Sequence, residues 1–300
     1  MKRVQLSETL ELSKIVHGHM RLNEWDLNDQ ERLRFIEEVR ELGVTTIDTA
    51  DIYGGYGNEA LLGDALKLNK PIRKHLEIVT KCGIMLRGNQ LNDRLVKHYD
   101  VSYNHIIESA DNSLMKLGTD YIDLFLIHRP SPFTNYEEIS RAFNHLHKKG
   151  KVLNFGVSNF KQHEFHTLHK YMKFPLVTNQ IEISPMNLEH FKEGTIDLCH
   201  EYEIPPMVWS PLAGGRIFNS NDAKAIRIRR ALLLLQERYD GLPVDVILYA
   251  WLLNHPVGFM PIVGSGKMER IKSAISALNV KMTTEEWFVL YEAALGHEVA

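Results

Sequence analysis

Only two of the 300 residues are cysteine, Cys82 and Cys199. They stand far apart and share no metal-ligand spacing, so neither a disulfide nor a thiolate metal site is argued from them, and two buried thiols in a reducing compartment are the expectation. Charge of one sign is missing too. The formal net charge is −3, and the densest basic stretch, Ile226-Arg227-Ile228-Arg229-Arg230, reads as a solvated helix face, so no nucleic acid and no acidic membrane is expected as a partner. No apolar run is long enough to span a bilayer, and the N-terminus lacks the apolar core of a signal peptide, which makes the cytoplasm the expected location. No linker rich in Pro, Gly or Ser divides the chain, and residues 1–300 are expected to form one domain.

What is present is enough apolar material for a large core, 44% of residues, beside 24% charged ones. Val4-Gln5-Leu6 and Leu10-Glu11-Leu12 alternate with period two around a polar turn, which predicts an opening hairpin. A strand–helix unit then recurs. Ile15 to Arg21 reads as strand and Asp29 to Leu42 as helix, with Asn28 as its N-cap and Gly43 as its stop. Strands ending at Asp48, Lys81 and His128 follow, then Val152 to Val157, Leu176 to Ile181, Pro206 to Trp209 and Gly258 to Val263. Between them come helices from about Asn58, Ser102, Tyr136, Lys161, Leu188 (to Glu201) and Ala223. Extra helices are expected over Val244 to Leu253 and Thr283 to Leu295. Short, nearly all-apolar strands alternating with helices fit an open doubly wound α/β sheet or a closed (β/α)8 TIM barrel; the count of eight favours the barrel.

Three consecutive predicted strands each finish on a different ionisable residue: Asp48, Lys81 and His128. Tyr53 follows Asp48 by five residues and precedes a glycine run. In a barrel, such strand ends form the active-site face. A tyrosine titrates near pH ~10 when free, and an adjacent ammonium favours its phenolate, which is the route to a usable proton donor. Lys81 is the candidate cation, Asp48 its support, and a neutral His128 a donor to a carbonyl oxygen. Singly, each has a plainer explanation: a loop aromatic, a structural ion pair, a satisfied core histidine. Their coincidence on one barrel face is what the plain explanations leave unaccounted for.

Asp48-x-x-x-x-Tyr53, Lys81 and His128, together with Gly43 to Gly63 including Glu59, resemble the tetrad and signature of the aldo-keto reductase superfamily, and the resemblance extends over nearly the whole chain. Gly156-Val157-Ser158-Asn159-Phe160, Thr178-Asn179-Gln180, Trp209-Ser210-Pro211-Leu212 and Pro261-Ile262-Val263-Gly264-Ser265-Gly266-Lys267 are similar to that family's cofactor segments. The resemblance implies NADPH/NADP+ as cofactor and a small carbonyl compound as substrate. It also implies that Ser158, Asn159 and Gln180 hold the nicotinamide carboxamide, that Trp209 stacks on the ring, that Ser210, Leu212, Gly214 and Gly215 fold over the pyrophosphate, and that Met20 and Arg21 lie near the cofactor. The same superfamily contains regulatory subunits that bind NADP, the alternative to an enzyme. Neither the substrate nor the oligomeric state is readable. Specificity is expected to depend on loops at 23–27, 84–99 and 129–136, with Trp25 either lining the pocket or anchoring a surface.

The segment after the last predicted strand carries its own argument. Lys267 and Arg270 sit at the start of a helix, where the backbone dipole favours acids, and two cations there are better explained by an anionic ligand. With Ser265 they are expected to take the adenosine 2′-phosphate. Three other signals fail. Gly55-Tyr56-Gly57-Asn58-Glu59-Ala60 mimics a dinucleotide fingerprint, but its glycines do not follow directly from a strand. Gly264-Ser265-Gly266-Lys267 lacks the first glycine and the final hydroxyl of a phosphate loop. His163, His166 and His169 share a helix face without a zinc signature, and no metal is expected; a barrel hydrolase using a metal finds no ligand set.

Overall fold

The computed structural model describes residues 1–88 and 94–300, so part of the 84–99 loop lies outside the described residues. Eight strands run Val16–Gly18, Thr46–Asp48, Glu77–Cys82, Ile122–Ile127, Val152–Ser158, Leu176–Glu182, Met207–Trp209 and Met260–Val263. Every neighbouring pair is parallel and the strands follow chain order around a closed barrel. The ring closes where the last strand meets the first, Ile262 opposite Val16 and Val263 opposite His17.

Period-two alternation decides what lies inside. Val79, Leu124 and Leu126 join Val16, Val177, Met207, Met260 and Ile262 in an interior cluster, while Ile78, Phe125 and Ile127 face the helices. Lys81 is two residues beyond Val79 and His128 two beyond Leu126, so the alternation that buries the apolar pair also carries these polar groups into the barrel's upper end. Leu10 and Leu12 belong to the same interior cluster: the hairpin Arg3–Ser7/Leu10–Ser13 plugs the barrel, pinned by a hydrogen bond from Ser7 Oγ to Asn154 Oδ1. Each such fully buried aliphatic side chain contributes roughly 1.5–3 kcal/mol.

The helices start and stop where their end chemistry directs. Asn28 and Glu31 form a reciprocal capping box for Asp29–Glu41, and Gly43 takes φ 85° just beyond. Ser102 caps Tyr103–Leu117 and Gly118 ends it in the left-handed region. The helix expected from Leu188 to Glu201 is instead a single tight turn, Glu189–Phe191, and a separate helix, Thr195–Glu201. Gly194 breaks the run between them at φ 82°. Val244–Leu253 and Thr284–Leu295 are present as extra helices, joined by Trp251 and Trp287, whose rings stack at 5.0 Å and whose indole N–H groups each donate to the other's backbone carbonyl.

Candidate active site

Lys81, fully buried on the third strand, donates from Nζ to Asp48 Oδ2 at 2.9 Å, to Thr49 O at 2.7 Å and to Tyr53 Oη at 3.2 Å. Three donors are thus matched to three acceptors, which is what a buried ammonium requires. His128 follows the fourth strand and presents its ring edge-on to Tyr53, centroids 5.7 Å apart. The structure brings all four sequence-predicted residues together at one strand-end mouth.

Their electrostatics differ from the sequence expectation in one respect. Burial pulls the Lys81 ammonium down, but Asp48 and Tyr53 outweigh it and hold the group above its usual range, so it stays charged. Burial pushes Tyr53 up, and although Lys81 pulls the other way, as expected from the sequence, burial prevails. The Tyr53 phenol is therefore a firmer proton holder than a free tyrosine. Burial, then Lys81 and Arg129, drive His128 well below its usual value, so its imidazole is neutral; its Nδ1 is buried with no hydrogen-bond partner among the described residues.

Gln180, expected from the resemblance to hold the nicotinamide carboxamide, also enters this network, a second role that the sequence did not announce. Gln180 donates from Nε2 to Asp48 Oδ1 at 2.7 Å, so the carboxylate is held from both sides, and Gln180 Oε1 makes no hydrogen bond to a described residue. Strict alternation from Val177 would point Gln180 outward. A register irregularity between Leu176 and Asn179 re-aims it.

Ser158 and Asn159 lie next to Gln180, tied by hydrogen bonds from Ser158 Oγ to Gln180 O and from Asn159 Nδ2 to Ser158 Oγ and His128 O. Neither is the N-cap of the following helix, a position held by Lys161. Trp209 donates from Nε1 to Asn159 Oδ1 at 3.1 Å, which fixes the plane of its indole. Just beyond, Ser210, Ala213, Gly214 and Gly215 all have positive φ, Leu212 standing among them, and nothing lies within 4 Å of where a Gly214 side chain would begin. Of the seven non-glycine residues at positive φ among the described residues, three (Asn159, Ser210 and Ala213) fall in these two segments, the concentration expected where backbone is bent to a ligand.

The third segment follows the last strand and meets the first strand's loop where the barrel closes. Arg21, next to the exposed Met20, donates to Gly264 O at 3.0 Å. Ser265 is buried, and its Oγ accepts from Lys267 N. Lys267 is the N-cap of Met268–Ser276; it and Arg270 are exposed and form no ion pair with a described residue. Behind this loop His17 Nε2 lies 3.1 Å from Ser265 O and must donate to it. Burial lowers His17 to about 4, so its Nδ1 is bare and accepts from His19 Nε2 at 3.0 Å. Trp25 stacks on His17 and stands 2.6 Å from where a Gly266 side chain would begin, so it braces the loop.

Elsewhere Cys82 and Cys199 are buried and unpaired. His166 meets Glu201, and His169 lies against Tyr202. Among the described residues no cluster of His, Cys, Asp and Glu is arranged to hold a metal, and no helix is long and apolar enough to cross a membrane.

Residues 14–293 match the sequence profile of the Aldo/keto reductase family. The chain is 48% identical to an uncharacterized oxidoreductase, YcsN, of Bacillus subtilis (strain 168), over 100% of both chains. It is 42% identical to a 6-dehydroglucose reductase of Agrobacterium fabrum, again over 100% of both. A crystal structure of the thermostable aldo-keto reductase Tm1743 with the inhibitor epalrestat superposes with a TM-score of 0.81 at 25% identity, over 98% of this chain and 100% of that one. A barrel of this form, a strand-end mouth of this composition and relatives this similar over their whole length have one common origin: the chain belongs to the aldo/keto reductase family and is an oxidoreductase of that family.

Proposed function

We propose that the protein, acting as one barrel domain, is an NADPH-dependent reductase that converts an aldehyde or ketone to an alcohol. The observation that carries the proposal is the chain Asp48–Lys81–Tyr53 beside a neutral His128 at a single strand-end mouth. When bound, the nicotinamide supplies the hydride. Tyr53 holds the proton that the carbonyl oxygen must receive, and its upward displacement keeps that proton in place until the oxygen gains charge. Lys81 steadies the phenolate left behind, Asp48 holds Lys81 and is itself held by Gln180, and His128 orients the carbonyl.

The chain's residues fit this cofactor. Trp209 offers a flat face held by Asn159, and Ser158, Asn159 and Gln180, with Gln180 Oε1 uncommitted, suit an amide. The left-handed residues Ser210, Ala213, Gly214 and Gly215, on either side of Leu212, let backbone approach a pyrophosphate. Gly264 and Gly266 frame Ser265, Lys267 and Arg270 as the 2′-phosphate end, and Met20 and Arg21 close the near side.

The test is NADPH oxidation against a panel of carbonyl compounds, sugar aldehydes included because of the relatives named 6-dehydroglucose reductase. Turnover is expected, and Tyr53→Phe should lower it by roughly 10²- to 10⁴-fold, the usual contribution of a positioned acid, with NADPH affinity retained. Tight NADPH binding with no turnover on the whole panel would point to a regulatory subunit instead.

A further inference from the structure

Arg129 directly follows His128 and has no assigned role. Its guanidinium stands 5.4 Å over the Trp209 ring, it is half-buried, and it makes neither a hydrogen bond nor an ion pair with any described residue. The contact with the ring engages the charge of the guanidinium and uses none of its N–H donors in a hydrogen bond to a described residue. A half-buried arginine without an acid is unusual, because the fork ordinarily finds a carboxylate or phosphate. Here the surrounding groups are already spent. Asp48 is taken by Lys81 and Gln180, the Trp209 N–H and the Asn159 side chain satisfy each other, and the His128 carbonyl accepts from Asn159.

The cation is also close enough to the reacting groups to be felt by them. It opposes protonation of His128 and favours ionisation of Tyr53. Its free edge therefore belongs to the same mouth as the proton donor, on a loop whose neighbour His128 faces Tyr53.

We propose that Arg129 is a specificity-determining residue that binds an oxyanion carried by the substrate, so that the preferred carbonyl compounds bear a carboxylate or phosphate a few atoms from the reacting carbon. This rests on the carbonyl-reductase reading of the site. A charge-assisted, two-point contact from a planar fork explains why an arginine stands where a lysine would supply the charge alone.

The experiment compares matched pairs with the intact protein: succinic semialdehyde against its methyl ester, and glycolaldehyde phosphate against glycolaldehyde. The quantity read is the ratio of kcat/KM within each pair, which cancels any loss of correctly folded protein in a variant. For at least one pair the wild type should favour the anionic member by roughly 10- to 100-fold, the range of a hydrogen bond to a charged group. Which pair responds distinguishes carboxylate from phosphate. Arg129→Met should bring the ratio to near one, and Arg129→Lys should restore part of it. Ratios near one in the wild type, or a ratio that survives in Arg129→Met, overturn the proposal and leave Arg129 as a prop for Trp209. If no carbonyl compound is turned over, the reductase reading fails separately, and calorimetric titration of succinate and of inorganic phosphate into protein plus NADP+ decides. Binding of either that is lost in Arg129→Met supports an oxyanion site, and absence of binding in the wild type removes it.

Discussion

Lys81 has no exposure to solvent and Asp48 almost none, so their pair is a buried one in which each charge depends on the other. Replacing Lys81 with Met leaves Asp48 with Gln180 as its remaining side-chain donor and should cost about 3–5 kcal/mol of stability, read as a lower urea midpoint, along with most of the turnover. Asp51 behaves in the opposite sense. Burial first, and then the neighbouring Glu59, raise its carboxyl from 3.8 to about 8, and its Oδ1 is buried with no hydrogen-bond partner among the described residues. The folded state therefore holds a proton that the unfolded chain releases near pH 4. The stabilisation from that proton is complete below about pH 4 and is lost as pH rises through about 8. Urea midpoints at pH 5 and pH 9 should show this loss in the wild type and a smaller one in Asp51→Asn. The tetrad was legible because each member terminates or follows a strand that its apolar pattern defines. The Gln180–Asp48 bond was not, since it joins residues 132 apart through an irregularity that no pattern marks. The direction of Tyr53's displacement was hidden for another reason: the sequence names its cationic neighbour and says nothing of how deeply the phenol is buried.

Among the elements, the helix Met268–Ser276 tests the cofactor assignment most directly. Its start carries two unpaired cations behind a buried serine, and Arg270→Ala should weaken NADPH binding by about 1.5–3 kcal/mol while leaving NADH little changed, measured by titration calorimetry with both cofactors. Gly266→Ala should weaken NADPH as well, because a methyl group there meets Trp25 at 2.6 Å and displaces the loop. The helix boundaries were largely readable: Asn28 is the N-cap expected from the sequence, and Ser102 and Thr283, expected as the first residues of helices, cap them in the structure. The exception, Leu188 to Glu201, carries apolar spacing right through Gly194. Only the glycine's left-handed backbone shows that the periodicity spans two pieces.

For the molecule as a whole, the proposed cofactor contacts come from the first strand's loop, from the middle of the chain and from the segment after the last strand, so ligand binding should report on the complete barrel. NADPH at about 100 times its Kd should stabilise the fold by about 2.7 kcal/mol, visible as a rise in Tm that Arg270→Ala reduces at the same NADPH concentration. Barrel rather than open sheet was inferred from strand count, and the pairing of Val16 with Ile262 is the observation that decides it. That pairing has a bearing on synthesis. As the chain leaves the ribosome, the first strand waits for a neighbour that is translated after all the other barrel strands, and until then the growing sheet presents two bare edges of the kind that recruit other chains. Nascent protein stalled before Met260 is thus an aggregation hazard rather than a smaller working barrel, and synthesis of the eighth strand and the loop after it both shuts the ring and delivers the residues proposed to recognise the cofactor.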